Sequence, residues 1–271
     1  PALPDMEWGG SYELQTYKGR HWMTYIGGEG TGYEAVKAPL YVGLAWTKGD
    51  ISTAHEWESL DKPILSIHDK DAQWWEKLTQ YKSTVYWDKD KTLGVPFVMY
   101  YNAGGRHPET DLKGERVGIA LSKDMKTWKR YSGNPVFAHE ADGTITGDAH
   151  IQKMGDVYVM FYFSAFEPSR KYKAFNTFAA SYDLVNWTDW KGADLIIPSK
   201  NYDELFAHKS YVVKHDGVVY HFYCAVNNAE QRGIAIATSK PMGRSAVRFP
   251  APESKNCLLY TSPSPRDYAA S

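Results

Sequence analysis

The sequence is poor in cysteine and contains only Cys224 and Cys257, so it encodes neither a disulfide framework nor a cysteine-based metal site. No apolar run reaches the length of a membrane-spanning helix, and residues 1–30 lack the layout of a signal peptide. The net charge of −1 provides no basic surface for nucleic acid. We therefore expect a soluble chain that binds neither nucleic acid nor a membrane.

Aromatic residues, by contrast, are abundant. They make up 15% of the chain, with 10 Trp and 20 Tyr. Half-buried aromatic rings are typical of carbohydrate-binding surfaces, where the C–H faces of sugars stack on them. All-β proteins are also rich in Tyr and Trp, because these residues suit a pleated surface. Composition alone leaves both explanations open.

The C-terminal end of the sequence differs from the rest. Residues 257–267, CLLYTSPSPRD, resemble the translation of a sequencing adapter. We therefore expect the gene to be a metagenomic fragment whose natural sequence stops near Asn256. Cys257 is then not a native residue. On this interpretation residues 1–256 form one domain, and residues 257–271 are a foreign tail to be left out of functional reasoning.

Internal repeats organise residues 10–245. Each repeat begins with two aromatic-rich strands joined by a tight turn, and alternating side chains with Gly-containing turns predict β-hairpins. These hairpins are predicted at 10–28, 82–103, 148–165 and 209–226. A further strand follows each hairpin, within residues 41–57, 117–128, 178–187 and 233–245. Four such sheets around one axis predict an all-β fold of the β-propeller type.

The first residues of the hairpins are the candidate site. Aligned, they are Ser11, Lys82, Asp148 and Lys209, about 60 to 70 residues apart. Inner strands of a propeller converge on its axis, so these polar residues should line one pocket, of which Asp148 is the one carboxylate. The alternative is a structural network of Asp–Lys pairs, since charges are costly to bury without partners.

Two short motifs support a family resemblance. A Ser-x-Asp-x-x-x-Trp motif follows a strand at Ser122–Trp128 and again at Ser181–Trp187. Together with the aromatic hairpins, it resembles the five-bladed propeller glycoside hydrolases over residues 9–250. These include families 43, 32, 117 and 130. The resemblance implies five blades, of which four are visible, with the fifth either truncated or completed by the N-terminus.

The resemblance also implies a reaction. It suggests a hydrolase of arabinofuranosidase or xylosidase type that acts on plant or algal oligosaccharides in a bacterial periplasm or outside the cell. The lysines Lys82 and Lys209 add acidic sugars to the candidate substrates. Asp148 matches the middle of the three family 43 carboxylates, which orients the acid, and a role as the base stays open as well. At the acid position His208 replaces Glu, as in the anhydrogalactosidase family, and imidazole can donate a proton near neutral pH. Glu204 is the alternative acid, and Glu7 is the nearest candidate base.

Further residues are candidates for binding substrate. Lys82 and Lys209 would suit a carboxylate or phosphate group. The full set is Lys82, Lys209, His150, Trp8, Arg232, Asn102 and Glu204. The resemblance implies no cofactor, with a Ca²⁺ ion near the axis, bound by His150, as the open alternative. Two other functions also stay open: a mannoside-type phosphorylase and a non-catalytic sugar-binding propeller.

Overall fold

The protein is built from β-strands, as predicted. The computed structural model describes residues 3–28, 30 and 39–241, and its helical segments there are two 3₁₀ turns, Ala54–Glu56 and Trp74–Glu76. Neither turn is long and apolar enough to cross a membrane. The predicted foreign tail, 257–271, lies outside the described residues.

The strands form four antiparallel meanders, which we call blades 1 to 4. Blade 1 contains β1 His21–Gly28, β2 Leu40–Thr47 and β3 Glu58–Ser59. Blade 2 contains β4 Thr79–Trp87, β5 Phe97–Arg106, β6 Lys113–Ser122 and β7 Lys129–Arg130. Blade 3 contains β8 Ile145–Met154, β9 Val157–Ala165, β10 Ala174–Ser181 and β11 Thr188–Asp189. Blade 4 contains β12 Phe206–His215, β13 Val218–Val226 and β14 Arg232–Thr238. A single parallel bridge between Glu115 and Ile145 links blades 2 and 3 into one sheet.

Tight turns close the predicted hairpins of blades 3 and 4. Asp216 and Gly217 connect β12 to β13 with φ values of +49° and +71°, and Asp-Gly is the pair that such a left-handed turn favours. Gly155, with φ +62°, opens the two-residue turn between β8 and β9. The hairpins predicted at 82–103, 148–165 and 209–226 are confirmed.

The hairpin predicted at 10–28 is wrong. Residues 13–15 pair with residues 3–5 instead, since Asp5 N donates to Glu13 O and Gln15 N to Leu3 O. Residues 6–8 then run beside the far end of β8, where Met6 O and Trp8 N bond to the backbone of Lys153. Ser11 is exposed in this loop and does not share the position of Lys82 and Asp148.

The Ser-x-Asp motif forms a local turn, as its chemistry suggests. The Ser122 hydroxyl accepts the backbone N–H groups of Asp124 and Met125. The Asp124 carboxylate then accepts those of Lys126 and Thr127. Ser181 and Asp183 repeat this arrangement in blade 3. Aspartates used in this way cap turns and take no part in a pocket.

Apolar clusters between adjacent blades make the core. Trp22 and Leu44 of blade 1 pack with Phe97 of blade 2. The second cluster joins blades 2 and 3, and a smaller one joins blades 3 and 4. On β14, Ile234 and Ile236 stay 68% and 46% exposed on the face opposite the buried Ala235. The described residues thus form four blades, and the count of five remains a prediction.

Candidate active site

A bulge recurs at the start of three inner strands. The pairing register shifts between Tyr81 and Thr84, between Gly147 and His150, and between His208 and Ser210. Within the bulges Lys82, Asp148 and Lys209 have φ of +49°, +55° and +60°. Such a backbone costs about 1–3 kcal/mol for a non-glycine residue and is typical of functional sites. Because a bulge redirects a side chain, the same device presents all three residues at one end of the blades.

Lys82 and Asp148 form the centre of the site. The Lys82 Nζ lies 3.8 Å from the Asp148 Oδ1, and both side chains are about 15% exposed. The Lys82 ammonium also lies 5.2 Å from the centroid of the Phe163 ring. Lys82 is therefore held between the Asp148 carboxylate and an aromatic ring.

Asn102 holds the backbone of the Asp148 bulge in place. Its Oδ1 accepts the backbone N–H of Asp148 at 3.0 Å, and its side chain is fully buried. A Cβ on Gly147 would come within 1.6 Å of the Asn102 Nδ2, so this position requires glycine. The backbone on either side of the bulge is therefore fitted to Asn102.

Glu115 is a second carboxyl group at this site and was missed in the sequence. It lies on β6, and the Tyr81 hydroxyl donates a hydrogen bond to its Oε2. Burial raises the pKa of Glu115, and the negative charge of Asp148 adds to this effect. Burial outweighs the opposing effects of Lys82, Tyr81 and Asn102, which lower the pKa of Glu115. Glu115 is therefore suited to carry a proton that it can donate.

An alignment of the third strands of blades 2 and 4 could have identified Glu115 from the sequence. In β14, Arg232 stands at the first paired position with β13, and its place before a GIAIATS strand made it a candidate in the sequence. When Ser122 of β6 is aligned with Ser239, which follows β14, Glu115 occupies the position of Arg232. Applying the criterion used for Arg232 to blade 2 would have found Glu115.

His208 reaches the site but is a poor acid, which corrects its predicted role. Burial lowers the pKa of His208 to about 3, and the positive charges of Lys209, Lys82 and Arg232 reinforce this shift. Its Nδ1 lies 3.1 Å from the Cys224 carbonyl oxygen, to which a neutral ring donates. The remaining Nε2 then has no proton and is an acceptor. His208 can bind a substrate hydroxyl but holds no proton to donate at neutral pH.

Positive charge dominates the site. Lys209 and Arg232 lie close enough to His208 and Cys224 to influence the pKa of both groups. Together with Lys82 they are three permanent cations, opposed by the Asp148 carboxylate and by Glu115. Such a surplus favours a ligand that carries negative charge.

Glu7 and Trp8 do not join the site. Glu7 lies 3.9 Å from the Lys153 Nζ, five residues beyond Asp148 along β8. At about 3.3 Å per residue, roughly 16 Å of strand separates Glu7 from the carboxylate it was predicted to partner. Trp8 stacks on Phe161 with ring centroids 6.0 Å apart. The predicted placement of both residues is wrong because the N-terminal segment pairs with the far end of β8.

His150 and Glu204 are also engaged elsewhere. His150 is buried between β8 and β12, its Nε2 lies 2.9 Å from the Val212 carbonyl oxygen, and burial lowers its pKa to about 4. Glu204 is exposed and accepts a hydrogen bond from the Asn228 Nδ2 at 2.6 Å. No group of three or more His, Cys, Asp or Glu in the described ranges is arranged to hold a metal ion. His150 is thus a packing residue and does not face the pocket in which it was predicted to bind substrate.

Comparisons with known proteins bear on this site. Two solved structures, one named as a BT0996 RGII complex and one named Glycoside hydrolase, are 96% identical to this chain. Each alignment covers 93% of this chain and 72% of the other, with a TM-score of 0.90. A thermostable family-43 glycoside hydrolase is 18% identical over 84% of this chain and 68% of its own, with a TM-score of 0.56, and shows the fold alone. The search of family models found no match, and neither did the search of curated proteins.

The near-identical structures decide the class. At 96% identity over most of both chains, this chain belongs to the glycoside hydrolases and is an enzyme. Distant fold neighbours in families 43, 32 and 130 match the resemblance recognised in the sequence.

Proposed function

We propose that the enzyme hydrolyses a terminal glycosidic bond in pectin-derived oligosaccharides, with Glu115 as general acid and Asp148 as the ionised carboxylate. The observation that carries this proposal is the contrast between two carboxyl groups at one site. Burial raises the pKa of Glu115, whereas the Asp148 carboxylate lies 3.8 Å from the Lys82 ammonium. A buried carboxyl group that is favoured to hold a proton, beside a second carboxylate that forms an ion pair, is suited to be the acid of such a pair.

The division of labour follows from the two environments. Glu115 protonates the oxygen of the departing sugar as the bond breaks. Asp148 acts on the opposite side, either on a water molecule or on the sugar itself, and these two routes invert or retain the anomeric configuration. His208 Nε2 and Lys209 hold the hydroxyl and acidic groups of the sugar.

The substrate class rests on the near-identical relative and on charge. That relative is named as an RGII complex, and RGII is a pectic polysaccharide. Pectic chains contain uronic acids, whose carboxylates would suit the cations Lys82, Lys209 and Arg232. A released pentose of the arabinofuranose or xylose type remains part of the proposal.

Phosphorolysis is the second candidate, because the same three cations could hold inorganic phosphate. The test is incubation with RGII-derived oligosaccharides, with and without phosphate, followed by identification of the released sugar and its anomer by NMR. We expect a free monosaccharide at a rate unchanged by phosphate. A sugar 1-phosphate, or a rate that depends on phosphate, would instead support the phosphorylase. Release of no sugar, with the folded enzyme binding the oligosaccharide, would favour the non-catalytic alternative.

A further inference from the structure

A second polar pocket lies on blade 3, away from the Glu115–Asp148 pair. Its volume is about 390 Å³. Its charged lining residues, which define the blade-3 pocket, are His139, Glu140, Glu167, Arg170, Asp189 and Lys191. Small-molecule sites in proteins occupy about 300–1,000 Å³, so this pocket has room for one sugar residue.

The pocket opens at the same end of blade 3 as the active site. The backbone N–H of His139 donates to the Thr146 Oγ1 at 2.9 Å, and Thr146 precedes Asp148 by two residues on β8. Glu167 lies two residues beyond the last residue of β9, which pairs with the first residue of β8. Asp189 belongs to β11, the outermost strand of the blade. The blade-3 pocket is therefore a neighbour of the active site, displaced outward along the blade.

Its inner wall is fixed before any ligand binds. The buried Tyr162 hydroxyl donates to the Asp189 Oδ1 at 2.5 Å and lies 3.0 Å from the His139 Nε2. The His139 Nδ1 lies 3.3 Å from the Glu167 Oε2. Burial opposes ionisation of Asp189, but hydrogen bonds from His139, Tyr162 and Lys191 outweigh it and lower its pKa to about 2. Groups held in this way lose little freedom when they bind a ligand.

The charges of the lining indicate the kind of ligand. Acidic and basic side chains both face the pocket, so neither an anion nor a cation is strongly favoured. The lining offers hydrogen-bond donors on Arg170 and Lys191 and acceptors on Glu140, Glu167 and Asp189. Sugar hydroxyls donate and accept at once, so a neutral sugar ring satisfies both kinds of group.

We propose that the blade-3 pocket is a second sugar-binding subsite, which holds a neutral sugar residue of the same oligosaccharide whose terminal bond is cleaved beside Asp148. The proposal rests on the proposed function for the identity of the shared substrate. It assigns the active site to the reacting end of the oligosaccharide and the blade-3 pocket to a neutral residue elsewhere on it.

Two variants test the subsite in different ways. Glu167→Gln keeps the shape of the side chain and removes its charge, whereas Ala141→Trp fills the pocket without removing a side-chain hydrogen bond. Glu58→Gln, on the exposed strand β3, is the matched control. The probes are an RGII-derived oligosaccharide and the 4-nitrophenyl glycoside of the released sugar, which is too short to reach blade 3. Thermal unfolding checks that each variant is folded.

We expect both pocket variants to raise KM for the oligosaccharide about tenfold. Glu167→Gln does so by removing a hydrogen bond to a charged group, and Ala141→Trp by occupying the space of the sugar. For the nitrophenyl glycoside, kcat and KM of both pocket variants should stay within about twofold of the wild type. For the control variant, kcat and KM for both probes should do the same. Unchanged KM for both probes would overturn the proposal. An equal loss on both probes would also overturn it, because the pocket would then belong to catalysis.

Calorimetry separates failure of the subsite from failure of the proposed function. If the wild type releases no sugar, titration with the same oligosaccharide still reports binding. Binding that is kept by Asp148→Asn but weakened tenfold by Glu167→Gln would support the subsite without any hydrolysis. Equal binding by the wild type and both pocket variants would refute it, whatever the reaction proves to be.

Discussion

The two ends of β8 carry the same kinds of charged residue in different surroundings. At one end Asp148 is joined by Lys82 and Glu115, and the ion pair is about 15% exposed. At the other end Lys153 is joined by Asp90 and Glu7, whose side chains are 64% and 54% exposed. Each end thus has one lysine, one aspartate and one glutamate.

Burial separates the two trios. It raises the pKa of Glu115, whereas the Asp90 and Glu7 side chains beside Lys153 are mostly in water, where exposed ion pairs contribute about 0–1 kcal/mol. A left-handed bulge directs the Asp148 carboxylate away from the sheet, whereas Lys153 pairs with Tyr158 in regular register. We therefore expect catalysis at the end of β8 where the charged groups are buried. Matched substitutions at the two ends test this difference.

The largest effect is expected from Asp148→Asn against Asp90→Asn. Loss of the ionised carboxylate should lower kcat on the oligosaccharide about 10³-fold, because acid–base partners contribute 10²–10⁴-fold. Asp90→Asn should change kcat by less than about twofold. Steady-state kinetics on both purified variants makes the comparison, and a fully active Asp148→Asn would remove this carboxylate from the mechanism.

The next largest effect is expected from Glu115→Gln, with Glu7→Gln as the matched substitution at the other end of β8. We expect kcat to fall about 10²-fold on the oligosaccharide and much less on a nitrophenyl glycoside, whose leaving group needs no proton. The acid works when protonated, so wild-type activity falls as pH rises through the raised pKa of Glu115. Glu115→Gln should lose this alkaline limb in a pH–rate profile. A limb that persists would assign the acid elsewhere.

Lys82→Met compared with Lys153→Met should have a smaller effect. Lys82 lowers the pKa of Glu115, so its removal should raise that pKa further. Because activity persists below the pKa of the acid, the alkaline limb should move upward by about one pH unit. We expect kcat to fall about tenfold as Asp148 loses its partner. Lys153→Met should leave the profile unchanged, and a common shift in both variants would reveal a general charge effect.

Much of the fold could be read from short-range patterns. Alternating aromatic strands and glycine turns identified three hairpins, because both signals act within a few residues. The first repeat has the same pattern, yet residues 13–15 pair with residues 3–5 and residues 6–8 run beside Lys153. Those contacts join distant parts of the chain, and no local pattern expresses which partner is preferred.

The site was predictable where it follows from the repeat. Equivalent positions placed Lys82, Asp148 and Lys209 together, and the structure brings them to one end of the blades. The chemical state of a group was not predictable, because it depends on burial. The resemblance to the anhydrogalactosidase family suggested His208 as the acid, but burial and three neighbouring cations lower its pKa to about 3.

The smallest expected effect belongs to Glu7→Gln, and it tests the comparison most directly. Glu7 was predicted to be the base, and its location beside Lys153 contradicts that role. We expect turnover within about twofold of the wild type and a loss of unfolding free energy below about 1 kcal/mol, because the side chain is 54% exposed. Kinetics and urea unfolding measure the two quantities. If turnover instead fell about 100-fold, as for a catalytic acid or base, the two ends of β8 would act on one substrate, and the distinction between buried and exposed trios would fail.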